Sequence, residues 1–302
     1  MDRMKLYEHC TLCPRECGTD RTKHKGFCGA DSSLRIARYG RHYWEEPPLS
    51  GKSGSGTVFF CSCSLKCVFC QNYEISHGQT GYEISTKELA EIFLQLQDKG
   101  ANNIDLVTPT HFVPHILDSL DMVKGQLKIP VVYNCGGYES LKTLDMLKGY
   151  VDIFLPDLKY FDMTLAYDYS RAEDYFEKAI KAIRRMADMT GKPRFDENGL
   201  LKSGVIVRHL VLPNERHDSM NVIKALAKNF ESDEILLSLM SQFTPTQNCQ
   251  GIKKLNRRTT TFEYESVQRL VREYGFDGYF QERSSAKSEY IPEFFNNKKV
   301  TK

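Results

Sequence analysis

No segment of this 302-residue chain approaches the roughly 18 consecutive apolar residues that a membrane-crossing helix needs. Charge of one sign is equally scarce. Lys+Arg 41 against Asp+Glu 39 leaves a net charge of +2, too balanced for a nucleic-acid or membrane-binding surface. The first residues carry charge throughout (Asp2, Arg3, Lys5, Glu8) and lack an apolar leader core. Together these absences predict a cytoplasmic protein with no nucleic-acid and no membrane partner. Low-complexity tracts and repeats of solenoid period are missing too. What remains is ordinary globular composition, 41% hydrophobic and 26% charged, enough for one α/β domain of barrel size or two smaller ones. Against that background ten cysteines are many. Disulfides are rare in the cytoplasm, so such thiols are expected to ligate metal or to stay reduced.

Three of them, Cys63, Cys67 and Cys70, share one short loop with spacing C-x3-C-x2-C. They follow the run Thr57-Val58-Phe59-Phe60 and precede Gln71-Asn72-Tyr73. This spacing lets a single loop offer three thiolates to three corners of an iron–sulfur cube. A self-sufficient cluster takes four cysteines. A triplet therefore leaves one iron open to a small molecule, as a catalytic zinc keeps an open position. A structural zinc loop is the competing reading, and three thiols without a close fourth suit it poorly. Cys61, two residues upstream, is read as a strand-end residue and not as a ligand.

A second set lies at the N-terminus. Cys10, Cys13, Cys17 and Cys28 form C-x2-C-x3-C-x10-C, with Pro14 in one tight turn and Gly18 and Gly26 beside the others. Four thiols can close a metal site without outside ligands. Residues 1–30 have too few large apolar side chains to fold on a core of their own, so a metal would organise them. Structural zinc, an auxiliary iron–sulfur cluster and a disulfide pair all remain open for this set. His9 and His24 are not counted as ligands, Cys135 reads as a small apolar filler, and Cys249 has no assigned place.

From Thr57 onward, short β-branched runs alternate with amphipathic helical stretches, which predicts βα units and a parallel sheet. Strands are expected at 57–60, 104–107, 130–133, 151–155, 204–210 and 235–239. Ser85 and Glu88 make a capping box, and Leu89, Ile92, Phe93 and Leu96 then recur at helical spacing. Further helices are expected at 114–124, 140–147, 175–189, 219–230 and 262–274, with an exposed loop or hairpin at 191–199. Six strands in this order predict a partly open (βα)6 barrel over residues 51–302, including a C-terminal extension. A cysteine-rich segment, residues 1–50, precedes it. Reactive groups of such barrels gather where strands end. There the sequence places the cysteine loop, Thr108 to His111, Asn134 to Gly137, Asp157 to Lys159, Arg208-His209 and Ser241-Gln242. Trp44, Glu45 and Glu46 precede the first strand and read as a plug for the barrel bottom.

Together with the cysteine triplet, several segments resemble the radical S-adenosylmethionine superfamily. They are Trp44-Glu45-Glu46-Pro47-Pro48, Leu106-Val107-Thr108-Pro109-Thr110-His111, Val131-Val132-Tyr133-Asn134, Leu155-Pro156-Asp157-Leu158-Lys159, Val207-Arg208-His209-Leu210 and Met240-Ser241-Gln242-Phe243. They are most similar to its pyruvate formate-lyase activating enzyme-like branch, which carries an N-terminal Cys-Pro-Arg cysteine motif. The resemblance implies a partial TIM-like barrel in which Cys63, Cys67 and Cys70 hold a [4Fe–4S] cluster. The open iron would bind S-adenosylmethionine, and reductive cleavage would give a radical that abstracts a hydrogen atom from substrate. It further implies that Phe69 packs near adenine, with Asn72 and Asn134 among the cofactor-binding residues. Asp157 and Lys159 match an Asp-x-Lys segment whose lysine contacts the S-adenosylmethionine carboxylate, and Arg208 matches an arginine on the same cofactor. Thr108 and Thr110 stand where activases carry Gly-Gly-Glu, so hydroxyls would receive the amino group here. The implied partners are a reductant such as flavodoxin or ferredoxin and a glycyl-radical enzyme, with a small molecule or peptide as the alternative substrate. That alternative predicts a cavity lined by Tyr133, Asn134 and His209. A non-catalytic iron–sulfur or zinc module for electron transfer is the reading from a different class.

Overall fold

The computed structural model describes residues 2–77 and 81–281. Residues 282–302 of the expected C-terminal extension lie outside the described residues. The strands are β1 (Arg35–His42), β2 (Ser55–Phe60), β3 (Tyr82–Glu83), β4 (Ile104–Val107), β5 (Val131–Cys135), β6 (Ile153–Pro156), β7 (Arg194–Phe195), β8 (Leu201–Leu210), β9 (Leu236–Met240) and β10 (Gly278–Phe280). The helices are α1 (Pro47–Ser50), α2 (Tyr73–His77), α3 (Thr86–Asp98), α4 (Val113–Met122), α5 (Leu141–Met146), α6 (Met163–Ser170), α7 (Tyr175–Thr190), α8 (Arg216–Asn229) and α9 (Thr261–Glu273).

One sheet runs in the order β10-β9-β8-β6-β5-β4-β2-β1-β3, with β7 paired on β8. From β2 to β10 every pairing along that path is parallel, and β1 and β3 add antiparallel strands at the far edge. Its two ends do not pair with each other, so the barrel is partial and open. The expected six-strand count is thus corrected to seven parallel strands. β10 is only three residues long and carries no pattern of its own, so its identity comes from lying beside β9. β1 lies in the segment before residue 50, with Arg38 and Arg41 exposed and only Ile36 buried. It becomes a strand through its ladder with the fully buried β2.

The expected helices are present, and the Ser85–Glu88 capping box closes the start of α3 in both directions. Residues 194–203 form the expected hairpin through β7 and β8. The sheet separates two apolar layers. Odd and even strand residues point to opposite faces. Leu106, Tyr133, Phe154, Val205, Val207, Leu237 and Leu239 go outward to the main core beneath the helices. Val132, Ile153, Leu155, Ile206 and Leu236 go inward and meet Leu49 of α1, and this small cluster fills the barrel interior. Leu49, not Trp44, does the plugging. The indole is 59% exposed.

Candidate active site

The cysteine loop leaves the end of β2 through two sharp bends. Ser62 (φ +76°) and Lys66 (φ +52°) both take left-handed backbone, at about 1–3 kcal/mol each for residues with a Cβ. Those bends turn Cys63, Cys67 and Cys70 back over the strand ends. Each sulfur then meets a donor. Leu65 N–H is 3.4 Å from Cys63 Sγ, Ser170 Oγ is 2.9 Å from Cys67 Sγ, and Ser76 Oγ is 3.3 Å from Cys70 Sγ. Burial pushes the Cys63 thiol up to about 11 and the Cys70 thiol up to about 12, and each is raised further by Cys67. Thiolates this buried need a cationic partner, as iron would supply. Among the described residues no three His, Cys, Asp or Glu side chains gather about one point as ligands of a single ion do. Three thiolates from one loop, each on a separate iron, are the donor set a cubane with one open iron takes.

Beneath the loop lies a cavity of about 600 Å³. Its wall includes Cys67, Phe69, Cys70 and Asn72 from the loop, and Asn134, Asp157, Lys159 and Arg208 from the ends of β5, β6 and β8. Phe69 is held edge-on by Tyr160, Tyr169 and Phe243 at centroid distances of 6.3, 6.3 and 6.0 Å. Lys159 pairs with Asp157. Burial alone would lower the lysine, but the Asp157 and Cys67 charges outweigh it and hold the ammonium above its usual range. The Asp157 carboxyl is likewise raised by burial and brought below its ordinary value by Arg208 and Lys159. Arg208 directs Nε to Asp157 (2.9 Å), Nη2 to Asn134 Oδ1 (2.6 Å) and Nη1 toward Glu45 (3.5 Å). Its fork is thus filled by protein acceptors. Gly137 (φ +78°) closes the turn after β5 so tightly that an added Cβ would overlap the Asp157 carbonyl oxygen.

Not every expected residue reaches the cavity. Thr108 and Thr110 lie outside its wall. The Thr110 hydroxyl donates to the buried Glu139 (2.9 Å), which also accepts from Tyr133 (3.0 Å). Tyr133 and His209 face away as well, because their neighbours Asn134 and Arg208 take the inward positions of the same strands. Gln242 lines the wall as its strand-end place predicts, whereas sequence reasoning missed Glu45 and Glu46 as cavity residues, along with Gln71, Tyr279 and Gln281. The run Trp44-Glu45-Glu46 was visible, but nothing local tied it to Arg208.

The N-terminal cysteines stand on the outer side of the same loops. Ten of ten cysteines are free thiols. The Cys17 and Cys28 sulfurs flank Gly26, 3.5 and 3.6 Å from where a Cβ would be. Arg21 is fully buried beside Cys10 Sγ (3.7 Å) and donates to the His111 (2.7 Å) and Asp31 (2.6 Å) carbonyls, while its Nε has no partner. A buried guanidinium without a carboxylate suits a site whose sulfurs carry negative charge. Arg15, between Cys13 and Cys17, donates to the Ser64 carbonyl of the cysteine loop (3.1 Å) and to the Ser170 carbonyl (2.9 Å).

Comparison with known proteins agrees with this arrangement. A model of the radical SAM superfamily matches residues 57–227. An uncharacterized protein of Methanocaldococcus jannaschii is 30% identical over 285 residues, covering 90% of this chain and 77% of that protein. A radical SAM methyltransferase from Sphaerobacter thermophilus superposes with TM-score 0.52 at 14% identity, over 75% of this chain and 66% of that one. Streptococcus suis SuiB bound to S-adenosylmethionine does so with TM-score 0.52 at 13% identity, over 73% of this chain and 48% of SuiB. This chain therefore spans about half the length of SuiB. The family match covers more than half of the residues and includes the cysteine loop and every strand end of the cavity from β2 to β8. This chain belongs to the radical SAM superfamily, which implies a [4Fe–4S] cluster and S-adenosylmethionine.

Proposed function

We propose that this protein is a radical enzyme whose cluster is held by Cys63, Cys67 and Cys70 and whose substrate enters the cavity beneath them. One observation carries this reading. The thiol-bearing loop and the charged strand ends Asp157, Lys159 and Arg208 face the same cavity. Bound there, the cluster and S-adenosylmethionine supply reductive cleavage of the sulfonium and a carbon radical that removes a hydrogen atom. The protein's part is to bind, orient and exclude water. The Lys159 ammonium, kept charged by Asp157, is placed to receive the cofactor's carboxylate. Phe69 offers an aromatic edge for adenine, and Asn72 and Asn134 offer amides. A single-electron donor such as flavodoxin or ferredoxin would reduce the cluster.

Anaerobic iron–sulfur reconstitution, reduction and quantification of 5′-deoxyadenosine test the reading. Product should form with the intact triplet and vanish in a Cys63→Ala/Cys67→Ala/Cys70→Ala variant. A fully clustered, reduced protein that forms none would favour the non-catalytic electron-transfer reading instead.

The finer activase reading has one feature in its favour. The cavity is bordered by His42 to Pro47 at one end of the open sheet and by Gly278 to Gln281 at the other. A glycine-bearing loop of a glycyl-radical enzyme could enter between them. Its test is a glycyl-radical doublet in electron paramagnetic resonance after mixing with such an enzyme. Cys10, Cys13, Cys17 and Cys28 are proposed as a second metal site, zinc or iron–sulfur, which elemental analysis of a triplet-less variant distinguishes.

A further inference from the structure

The segment of residues 43–54 enters at the start of β2, whereas the cysteine loop leaves its end. Glu45 of that segment nevertheless comes within 3.5 Å of Arg208 Nη1, while Arg208 Nε holds Asp157 at 2.9 Å, so one guanidinium joins the two groups. The cavity reaches from the loop to that segment, since both Cys67 and Glu46 line it. Its two ends differ in charge. At the thiol end Lys159 is matched by Asp157, and Arg208 is engaged by Asp157, Asn134 and Glu45.

Beyond Arg208 stand Glu45, Glu46 and Asp105, three carboxyls that have this one guanidinium as their common cation, with Glu45 and Asp105 also hydrogen-bonded to each other. Glu46 is only 9% exposed, yet its Oε2 has no hydrogen-bond partner. Burial pushes its carboxyl above the usual range, Arg208 and a Ser238 hydrogen bond oppose that rise, and among the described residues Glu46 has no direct salt bridge. Asp105, fully buried, receives an Asn134 amide hydrogen (3.4 Å) and hydrogen-bonds the Glu45 carboxyl, and burial together with that neighbour pushes it well above the ordinary carboxylate range. A buried carboxylate oxygen with no partner is costly to keep. The cavity wall also carries the apolar and aromatic side chains Trp44, Phe59, Met240 and Tyr279, beside the polar Gln242 and Gln281.

We infer that Glu46, backed by Glu45 and Asp105, is a subsite for a cationic group of the substrate, a primary amine or guanidinium carried on an apolar stem. The inference rests on the reading that substrate occupies this cavity. It names a substrate class, with the cation anchored at the floor and the stem running toward the thiol end, where a hydrogen atom would be taken. Arg208 shares its charge with these carboxyls but gives its donors to Asp157, Asn134 and Glu45, so the Glu46 carboxyl keeps an oxygen free for a direct contact.

Calorimetric titration of the anaerobically reconstituted protein, with S-adenosylmethionine present, tests the subsite. The probes are n-hexylamine, 1-hexanol, hexanoate and N-acetyl-lysine methylamide. Hexylamine should bind about tenfold or more tighter than hexanol, as a charge-assisted hydrogen bond in a buried site provides, and hexanoate should be excluded. Glu46→Gln should reduce the amine preference to within about threefold, the residue of an uncharged acceptor. Lysine methylamide binding as tightly as hexylamine assigns the cation to a peptide side chain, and weaker binding assigns it to a free amine. Either result upholds the subsite. Equal binding of amine and alcohol, a preference for hexanoate, loss of amine binding when S-adenosylmethionine is added, or an unchanged preference in Glu46→Gln overturns it. The wild-type selectivity stands whether or not the variant folds. 5′-Deoxyadenosine is measured in the same samples. Amine selectivity without it refutes the radical reading and leaves the subsite, whereas 5′-deoxyadenosine without selectivity refutes the subsite alone.

Discussion

Replacing Arg208 by Met should reveal how the cavity's buried charges depend on one another. The guanidinium touches Asp157 at 2.9 Å, Asn134 at 2.6 Å and Glu45 at 3.5 Å, with side chains 16–17% exposed for the Arg208–Asp157 pair and 11% for Glu45. Methionine fills similar volume but leaves Asp157 with Lys159 alone and Glu45 with no cation. Breaking a buried pair by removing one partner costs about 3–5 kcal/mol. Glu45→Gln in the wild-type background removes the longest of the three contacts while Arg208 keeps Asp157 and Asn134, and should cost less than Arg208→Met. The informative step is the combination. In the Arg208→Met background, Glu45→Gln removes a buried carboxylate that has lost its partner, and should stabilise by about 1–3 kcal/mol, a coupling of the size found between contacting residues. Urea denaturation of the four proteins measures the cycle. A cost under about 1 kcal/mol for Arg208→Met, or a Glu45→Gln effect of the same sign in both backgrounds, would refute the account of Arg208 as the hub of this network.

Three further outcomes follow from the geometry. Gly137→Ala should destabilise by about 2–4 kcal/mol, combining left-handed strain with displacement of the Asp157 carbonyl, and should weaken S-adenosylmethionine binding in equilibrium dialysis; retention of both would show that the turn relaxes freely. Burial raises the Glu139 carboxyl from 4.5 to about 7. The folded state therefore holds a proton that the unfolded state releases, and its contribution is present below pH 4.5 and lost as pH rises to about 7. The stability difference between wild type and Glu139→Gln should accordingly fall by about 3 kcal/mol over that window, and a flat difference profile would sink the assignment. Ser170→Ala removes the donor to Cys67 Sγ and should move the reconstituted cluster's potential to more negative values in a redox titration; an unchanged potential would place that hydroxyl outside the cluster's reach.

The cysteine triplet and the strand-end rule were legible because each is local: spacing along the chain for one, strand followed by polar turn for the other. Asn134, Asp157, Lys159 and Arg208 reach the cavity as that rule expects. Where it failed, strand parity explains the failure. Tyr133 adjoins Asn134 and His209 adjoins Arg208, and adjacent residues of a strand cannot share a face. Choosing one member of each pair would have excluded the other. Thr110 was lost for a different reason. Its hydroxyl goes to Glu139, 29 residues away, and no sequence pattern announces such a pairing. Glu45 and Glu46 gain meaning only from Arg208, and β1 and β10 only from the strands beside them.

The anchoring of the cysteine loop also sets an order of events during synthesis. Arg15 and the loop itself are made early, but Ser170, which donates to Cys67, comes 103 residues after it. Thr246, which donates to the Val68 carbonyl, comes 178 residues after that acceptor. At about 5–20 residues per second, the three thiols leave the ribosome roughly 5–20 s before Ser170 can fasten over them. Iron and sulfur therefore meet an accessible loop first and a closed one later. A chain cut short before α6 would carry all three ligands but neither Ser170 nor Thr246 to fasten the loop over the strand ends.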